Sequence, residues 1–493
     1  MSTDARRQRT GRRGFGGIVR AGARQVGSHV VAALGGSARA RVIIVLACVL
    51  GLSSADATTV GASATQLRAS LGINNTDIGL LVAVTSLVGA LASLPFGVLA
   101  DRVRRTLTLA AVIVTWGAAM VWSATADTFD TLLLSRAFLG AVTAAAGPLI
   151  ASLVGDYFPA RDRGRVWGFI LAGELLGAGF GFAVTGDIAA LSWRAAFVVL
   201  AIPALILAWA VFRLPEPARG GSGTLLPRAS EAPEREEPAQ PTDAQRLVRE
   251  HGISADPRLV LRRDPSRMGL VAATRHVLRV PTNLYLIASS ACGYYFLAGI
   301  QTFGVEFVKG QYAIGQVLAN VMLLIVGVGA VTGVLAGGVL GDILLRRGYL
   351  NGRILISAVS ATAAVILFFP PLFTAAMGSA LPYLLAAAFA LSAQNPPLDA
   401  ARLDIMPALL WGRAEAVRTF LRALAEALAP LLFGVVSDYV FGGGHTGLQR
   451  TFVVMLIPLA ASAYLLFKAL RTYPADVAAA AASAPRPAVD ATS

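Results

Sequence analysis

The residues of this chain that could do chemistry are charged side chains set inside long apolar runs. Asp56, Arg136 and Glu174 interrupt three such runs in the first half. An ionisable group at the centre of a membrane helix costs ~2.5–3.5 kcal/mol on insertion scales, so each needs a reason. Asp56 and Arg136 each sit about seven residues from the same end of their runs; at about 1.5 Å per residue both lie about 10 Å below one membrane surface. At a common depth the two can pair. Such a pair opens when the acid is protonated or when a substrate competes for the guanidinium. One chemistry offered is proton uptake and release, with Asp56 as the responsive group and Arg136 as its partner; the other reading is a static buried pair that fixes helix packing. Glu174 falls near the middle of its run and is a candidate for proton coupling or substrate contact. Asp187, near the end of the same run, reads as a solvated cap.

The second half carries Asp399, Arg402, Arg418, Arg422 and Glu426. Asp399 and Arg418 are expected in the inner third of the membrane, where their pairing would make an inner gate. Glu426 follows Arg422 by four residues and can pair with it on one helix face. Asn395-Pro396-Pro397 interrupts an apolar run, because proline has no amide hydrogen to give; such breaks suit a hinge or a polar cavity wall. Asn395, Tyr295 and Gln301 are candidate contacts to a polar headgroup. No nucleophile–base set, metal-ligand spacing or nucleotide-binding loop is present, so an enzyme, a metal, a cofactor and ATP as energy source are not expected. Cys48 and Cys292 fall in apolar runs of opposite halves and are expected to stay free thiols.

The elements that must position these groups are membrane helices. Hydrophobic residues make up 56% of the 493-residue chain and charged residues 14%, against about 25% charged in a typical soluble domain. We read twelve spans: 41–63, 76–100, 106–126, 129–154, 164–190, 194–213, 283–308, 314–341, 350–375, 381–403, 412–438 and 450–470. Each is long enough to cross a hydrocarbon core of about 30 Å. The fold class is all-α and polytopic. The net charge of +14 comes mostly from arginine between the runs, so it marks topology and anionic lipid rather than nucleic acid. Loops on one side hold Arg102, Arg104 and Arg105, then Arg161, Arg163 and Arg165, then Arg346, Arg347 and Arg353. The opposite loops hold few basic residues, Arg68, Lys309 and Arg450 among them. Both termini are therefore expected in the cytoplasm, the chain lying in a bacterial inner membrane.

Residues 1–40 form a basic arm. Residues 41–213 and 282–472 form two six-helix halves. The linker 214–281 is rich in Pro, Gly, Ser and Glu over 216–245, which predicts disorder. Within it, Met268 to Leu278 could lie as an amphipathic helix on the inner surface. The tail 473–493 is expected to be disordered.

One short sequence occurs in both halves. Gly97-Val98-Leu99-Ala100-Asp101-Arg102-Val103-Arg104-Arg105 is answered by Gly338-Val339-Leu340-Gly341-Asp342-Ile343-Leu344-Leu345-Arg346-Arg347, about 241 residues later. A repeat between two membrane halves is the usual plan of a secondary transporter. Both copies resemble motif A of the major facilitator superfamily, in the loops between spans 2 and 3 and spans 8 and 9. The resemblance implies a gating role for Gly97, Asp101, Arg102, Arg105, Gly338, Asp342, Arg346 and Arg347, in a network that stabilises the outward-open state. Arg136-Ala137-Phe138-Leu139-Gly140 resembles motif B, whose arginine is linked to proton coupling. Trp193-Arg194-Ala195-Ala196-Phe197 resembles the family's entry to span 6. Gly173, Gly177 and Gly181 match the glycines of motif C of drug/proton antiporters, but Ala178 stands in place of its proline and Phe182 in place of a terminal glycine. In that fold spans 1, 4 and 7 line a central cavity.

A finer resemblance is to the spinster-like branch, which exports lysophospholipids or sphingoid lipids. It rests on Ser53-Ser54-Ala55-Asp56, Leu67-Arg68-Ala69-Ser70-Leu71-Gly72-Ile73, Gln394-Asn395-Pro396-Pro397, Asp404-Ile405-Met406-Pro407 and Gly412-Arg413-Ala414-Glu415-Ala416. Ala57 follows Asp56 where that branch commonly has arginine. The expected function is proton-linked transport of an amphiphilic, lysolipid-like substrate by alternating access. A multidrug/proton antiporter is the second reading and a non-transporting scaffold or sensor the third. The expected partners are membrane lipids, the substrate and protons, with no nucleic acid, and the expected state is a monomer.

Overall fold

The computed structural model describes residues 36–100, 103–158, 160–217, 242–261, 268, 270–407 and 410–483. Most of the basic arm, the linker core, Asp101, Arg102 and the last ten residues lie outside the described residues. Among those described, eleven helical passages are long and apolar enough to cross a membrane. In chain order they are Ser37–Ala62 (span 1), Asn75–Ser93 (span 2), Arg105–Ala124 (span 3), Phe129–Tyr157 (span 4), Gly168–Leu191 (span 5), Trp193–Phe212 (span 6), Gln316–Arg346 (span 8), Gly352–Leu372 (span 9), Met377–Asp404 (span 10), Val417–Val440 (span 11) and Gly444–Ala482 (span 12). The twelfth passage, Pro281–Tyr312 (span 7), is the same length class. Its serines, tyrosines and glutamines dilute the apolar run.

Local sequence explains the breaks. Span 10 is two helices, Met377–Ala393 and Asn395–Asp404, with the second opening on Pro396 and Pro397. Span 4 is likewise split into Phe129–Thr143 and Ala146–Tyr157. Spans 5 and 11 each carry one π-helical segment, Gly181–Thr185 and Val436–Val440. Such wider turns re-aim side chains and recur at functional positions.

Packing within each half rests on small residues. A Cβ at Gly177 would fall on the Gly51 carbonyl, one at Gly173 on Ala47, and one at Gly181 on Thr58. The three glycines that match motif C are thus the surface on which spans 1 and 5 approach. Gly140 meets the Thr85 carbonyl in the same way, drawing span 4 onto span 2. In the second half Gly329, Gly333 and Gly337 meet the backbone of span 10 at Leu385, Phe389 and Ala393.

Three sequence expectations are corrected. The second motif copy is not a loop: Gly338 to Arg346 belong to the helix Gln316–Arg346, which carries no proline and ends before Gly348 in the left-handed region, φ 88°. The tail is helical as far as Ala482. Alanine has the strongest helix propensity, and Val477 to Ala481 are buried, packed with the linker helix Asp243–Glu250. That linker helix is itself set by a capping box between Thr242 and Gln245, so it begins in the last residues of the stretch 216–245 expected to be disordered. The amphipathic linker helix also forms, over Leu270–Arg279.

Gly177→Val should overpack the contact of spans 1 and 5 and cost ~1–3 kcal/mol, read as a lower melting temperature of the purified protein. Gly168→Ala, where an added Cβ meets nothing within 4 Å, should leave it unchanged.

Candidate functional site

Asp56 and Arg136 meet inside the first half. Arg136 Nη1 donates to Asp56 Oδ1 at 2.9 Å, and the residues are 1% and 3% exposed respectively. Span 1 supplies the acid and span 4 the base. Spans 3 and 6 supply the walls: Met120 Sδ lies 3.8 Å from Nη1 and the Phe197 ring lies 5.6 Å from the guanidinium carbon. Phe197 is the phenylalanine of the Trp193-Arg194 motif, a role the sequence did not disclose. Arg136 Nε has no hydrogen-bond partner among the described residues. One short bond therefore carries most of the compensation for a buried guanidinium, so the pair is sensitive to any change in the charge of Asp56.

Glu174 belongs to a second group that spans both halves. It accepts from Ser54 of span 1 and faces Arg422 and Glu426 of span 11. Arg422 Nε is 3.7 Å from Glu426 Oε2, and its guanidinium lies over the Tyr294 ring at 4.2 Å. The helical spacing of Arg422 and Glu426 gave that pair; the approach of Glu174 from the other half had no local signal. Tyr295 is packed, with its ring 5.9 Å from Phe433 and its hydroxyl 3.5 Å from Met455 Sδ. Gln301 is exposed, and its backbone carbonyl meets Gly61 of span 1. Asn395 starts the second helix of span 10 and is half-buried.

The expected inner gate takes a different form. Arg418 Nη1 is 3.9 Å from Asp399 Oδ1, while its closer partner is Glu415 and that of Asp399 is Arg402. All four residues lie in the second half. The cluster ties span 10 to span 11 and does not bridge the halves.

Two charge hubs brace the end of the bundle that carries the basic loops. Arg105 is buried and bonds Asp156, Ser152 Oγ at 3.0 Å, Glu216 Oε1 at 2.9 Å and the Pro217 carbonyl at 2.7 Å. Glu216 also accepts from the amides of Arg105 and Thr106, capping the start of span 3; an acid there complements the helix dipole. In the second half Arg353 donates to Asp404 Oδ2 at 2.6 Å and to Asp342 Oδ1 at 2.8 Å. The Tyr473 hydroxyl donates to the same Asp404 oxygen. Arg105 and Asp156 are 51 residues apart, as are Arg353 and Asp404. The counterpart of Arg105 is therefore Arg353. Arg346 and Arg347, which the motif register singled out, are exposed, because the helix of span 8 runs on to Arg346 with Arg347 as its cap. Gly338 and Gly341 pack against Pro396 and Pro397. Gly97 lies in the helix Asn75–Ala100, while Asp101 and Arg102 are outside the described residues.

The far end holds a clasp between the halves that the sequence left unread. Arg68 pairs with Glu306, Thr65 donates to Glu306 at 2.5 Å and Lys309 donates to Thr65 at 2.6 Å. Asp438, aimed by the π-helical segment of span 11, accepts from the Thr76 amide at 2.6 Å and from Asn75 at 3.0 Å. Asn320 of span 8 donates to Asp187 at 2.6 Å, so Asp187 is a latch to the opposite half rather than a solvated cap. Span 8 meets span 5 through Gly181–Leu191, at this same end.

The family model described as "Major Facilitator Superfamily" matches residues 46–430. The chain belongs to the Major Facilitator Superfamily. It is 29% identical to a probable L-galactonate transporter of Escherichia coli K12 over 158 residues, which are 31% of this chain and 34% of that protein. It is 31% identical to a hexuronate transporter of Bacillus subtilis over 157 residues, 32% of this chain and 37% of that one. The match thus spans about a third of these relatives' length. The fold is similar to that of a bacterial homologue of the human lysosomal transporter Spinster in an inward-facing, unoccupied conformation: TM-score 0.71 and 18% identity over 90% of this chain and 99% of that one.

Glu216 yields a pH test. Burial alone would raise its carboxyl, but the hydrogen bonds from Thr106 and Arg105 outweigh that and hold it below the ordinary value of 4.5. A depressed folded value means its stabilisation is complete above the unfolded value and is lost as pH falls through the folded one. Near neutral pH, Glu216→Gln should lose ~1–3 kcal/mol. Below pH 4.5 the wild-type melting temperature should fall toward that of the variant; parallel curves would contradict the role.

Proposed function

We propose that this protein is a proton-linked secondary transporter that works by alternating access and carries an amphiphilic, lysolipid-like or other lipophilic substrate. It would lie in a bacterial cytoplasmic membrane with both termini and the basic loops on the cytoplasmic side, as the arginine distribution favours. The observation that carries the reading is the buried Asp56–Arg136 pair, held by one short bond on spans 1 and 4. Protonating Asp56 removes the charge that compensates Arg136. The guanidinium then needs a new partner, and a substrate or a neighbouring acid can supply it. The polar clasp that joins the halves at the far end gives that local change a lever to act on.

The many Ala, Gly, Leu and Val residues of spans 1, 4 and 7 favour an amphiphile over a polyol, whose hydroxyls would each need a partner. A second reading, a small organic acid as substrate, is favoured by the galactonate and hexuronate relatives and by Arg422 facing Glu174 between the halves.

The test is transport by the purified protein in proteoliposomes with an imposed pH gradient. Lysophospholipids, sugar acids and hydrophobic cations would be offered in turn. Flux of one class should follow the gradient, and Asp56→Asn should lose at least tenfold of the gradient-driven component. Gradient-independent flux, unchanged in the variant, would refute the proton link.

A further inference from the structure

We propose that the linker helix Leu270–Arg279 forms a binding site for an anionic phospholipid of the leaflet nearest the basic loops, separate from the transport passage. The helix has two unlike faces. Ala273 and Val277 are fully buried, and Val277 joins Val280, Ile405 and Met406 in the second-half core. Asn283 at the start of span 7 donates to the Val277 carbonyl at 2.9 Å and fixes the helix to the bundle. On the other face Val271, Thr274, Arg275 and Leu278 follow one another at the i, i+3, i+4, i+7 spacing of a single helical stripe. With Arg279 they line an open hollow on the surface of this helix, a shape that suits a ligand lying along the membrane border rather than one enclosed by protein.

The chemistry of that stripe selects its occupant. Val271 is 83% exposed and Leu278 36%, and apolar side chains bared in this way call for an apolar partner. Arg275 and Arg279 are exposed one turn apart, and no acidic residue occurs between Leu270 and Arg279. The half-buried His276 is held below its ordinary value by burial and by Arg279, so the phosphate contact falls to the two arginines. Arginine holds a phosphate by paired N–H donors. Two basic heads beside an apolar surface match a phosphate with an acyl chain attached. Position agrees: Pro281 begins span 7 directly after Val280, which puts the helix at the membrane border. Asp476 of span 12, the acid that meets the start of span 7, is engaged with the Thr282 amide.

The helix also packs against the helix Trp411–Val435, which carries Arg418, Arg422 and Glu426. A bound lipid would therefore brace span 11.

Native mass spectrometry of the purified full chain, equilibrated with equal phosphatidylglycerol and phosphatidylcholine, tests the site. The wild type should retain at least threefold more phosphatidylglycerol. Arg275→Gln with Arg279→Gln should bring the ratio near one, while Arg346→Gln with Arg347→Gln, equally exposed and at the same end, should keep it. Equal retention by the wild type overturns the proposal. So does an unchanged ratio in the first variant, or an equal loss in both variants, which would show charge number rather than a site. Circular dichroism of each variant checks that the fold is retained.

Discussion

The structure depends on one desolvated ion pair. Asp56 and Arg136 sit where an isolated charge is untenable, and each is tolerated because the other is 2.9 Å away. Taking two ions out of water and leaving one uncompensated costs several kcal/mol, so the four helices around the pair form a unit with little freedom to separate. Spans 1 and 4 hold the charges; Met120 and Phe197 of spans 3 and 6 close the walls. The glycine contacts of spans 1 and 5 and of spans 2 and 4 keep that unit tight.

Among the described residues, the second half shows no matching pair on spans 7 and 10 and is built on aromatic packing. Phe296, Phe303, Phe307, Phe433 and Phe452 interlock through span 7, span 11 and span 12. Arg422 and Glu426 are displaced onto the face of span 11 that looks toward Glu174. The two halves thus share a backbone plan but differ in where their charges lie: one holds a buried ion pair, the other a polar surface. Pseudo-symmetry survives most clearly in the arginine–aspartate hubs, which keep the same 51-residue spacing.

Much of the fold was legible because membrane helices announce themselves by length and apolarity. The Asp56–Arg136 pair was legible because both residues stand alone in apolar runs at equal depth. What escaped the sequence was mostly contact between distant segments. Arg353 could not be chosen over Arg346 and Arg347 because the motif register counts residues, whereas the pairing depends on where span 8 stops. Glu216 and Tyr473 read as parts of disordered stretches, since composition does not show that Arg105 and Asp404 wait for them. The far-end clasp was hidden because Thr65 and Arg68 share one short helix while Glu306 and Asp438 lie on two others far along the chain, and each residue alone reads as a solvated charge or hydroxyl.

If the charge of Asp56 sets the separation of the halves at the far end, that separation must respond to pH through Asp56. Ser70 of the first half and Thr446 of the second are both exposed at that end and suit spin labels, with Cys48 and Cys292 first replaced by serine. Double electron–electron resonance in lipid nanodiscs then reads the distance between them. The distribution should shift when the pH is lowered from about 8 to about 5 and should be pH-independent in Asp56→Asn. A pH shift that persists unchanged in Asp56→Asn would contradict the switch.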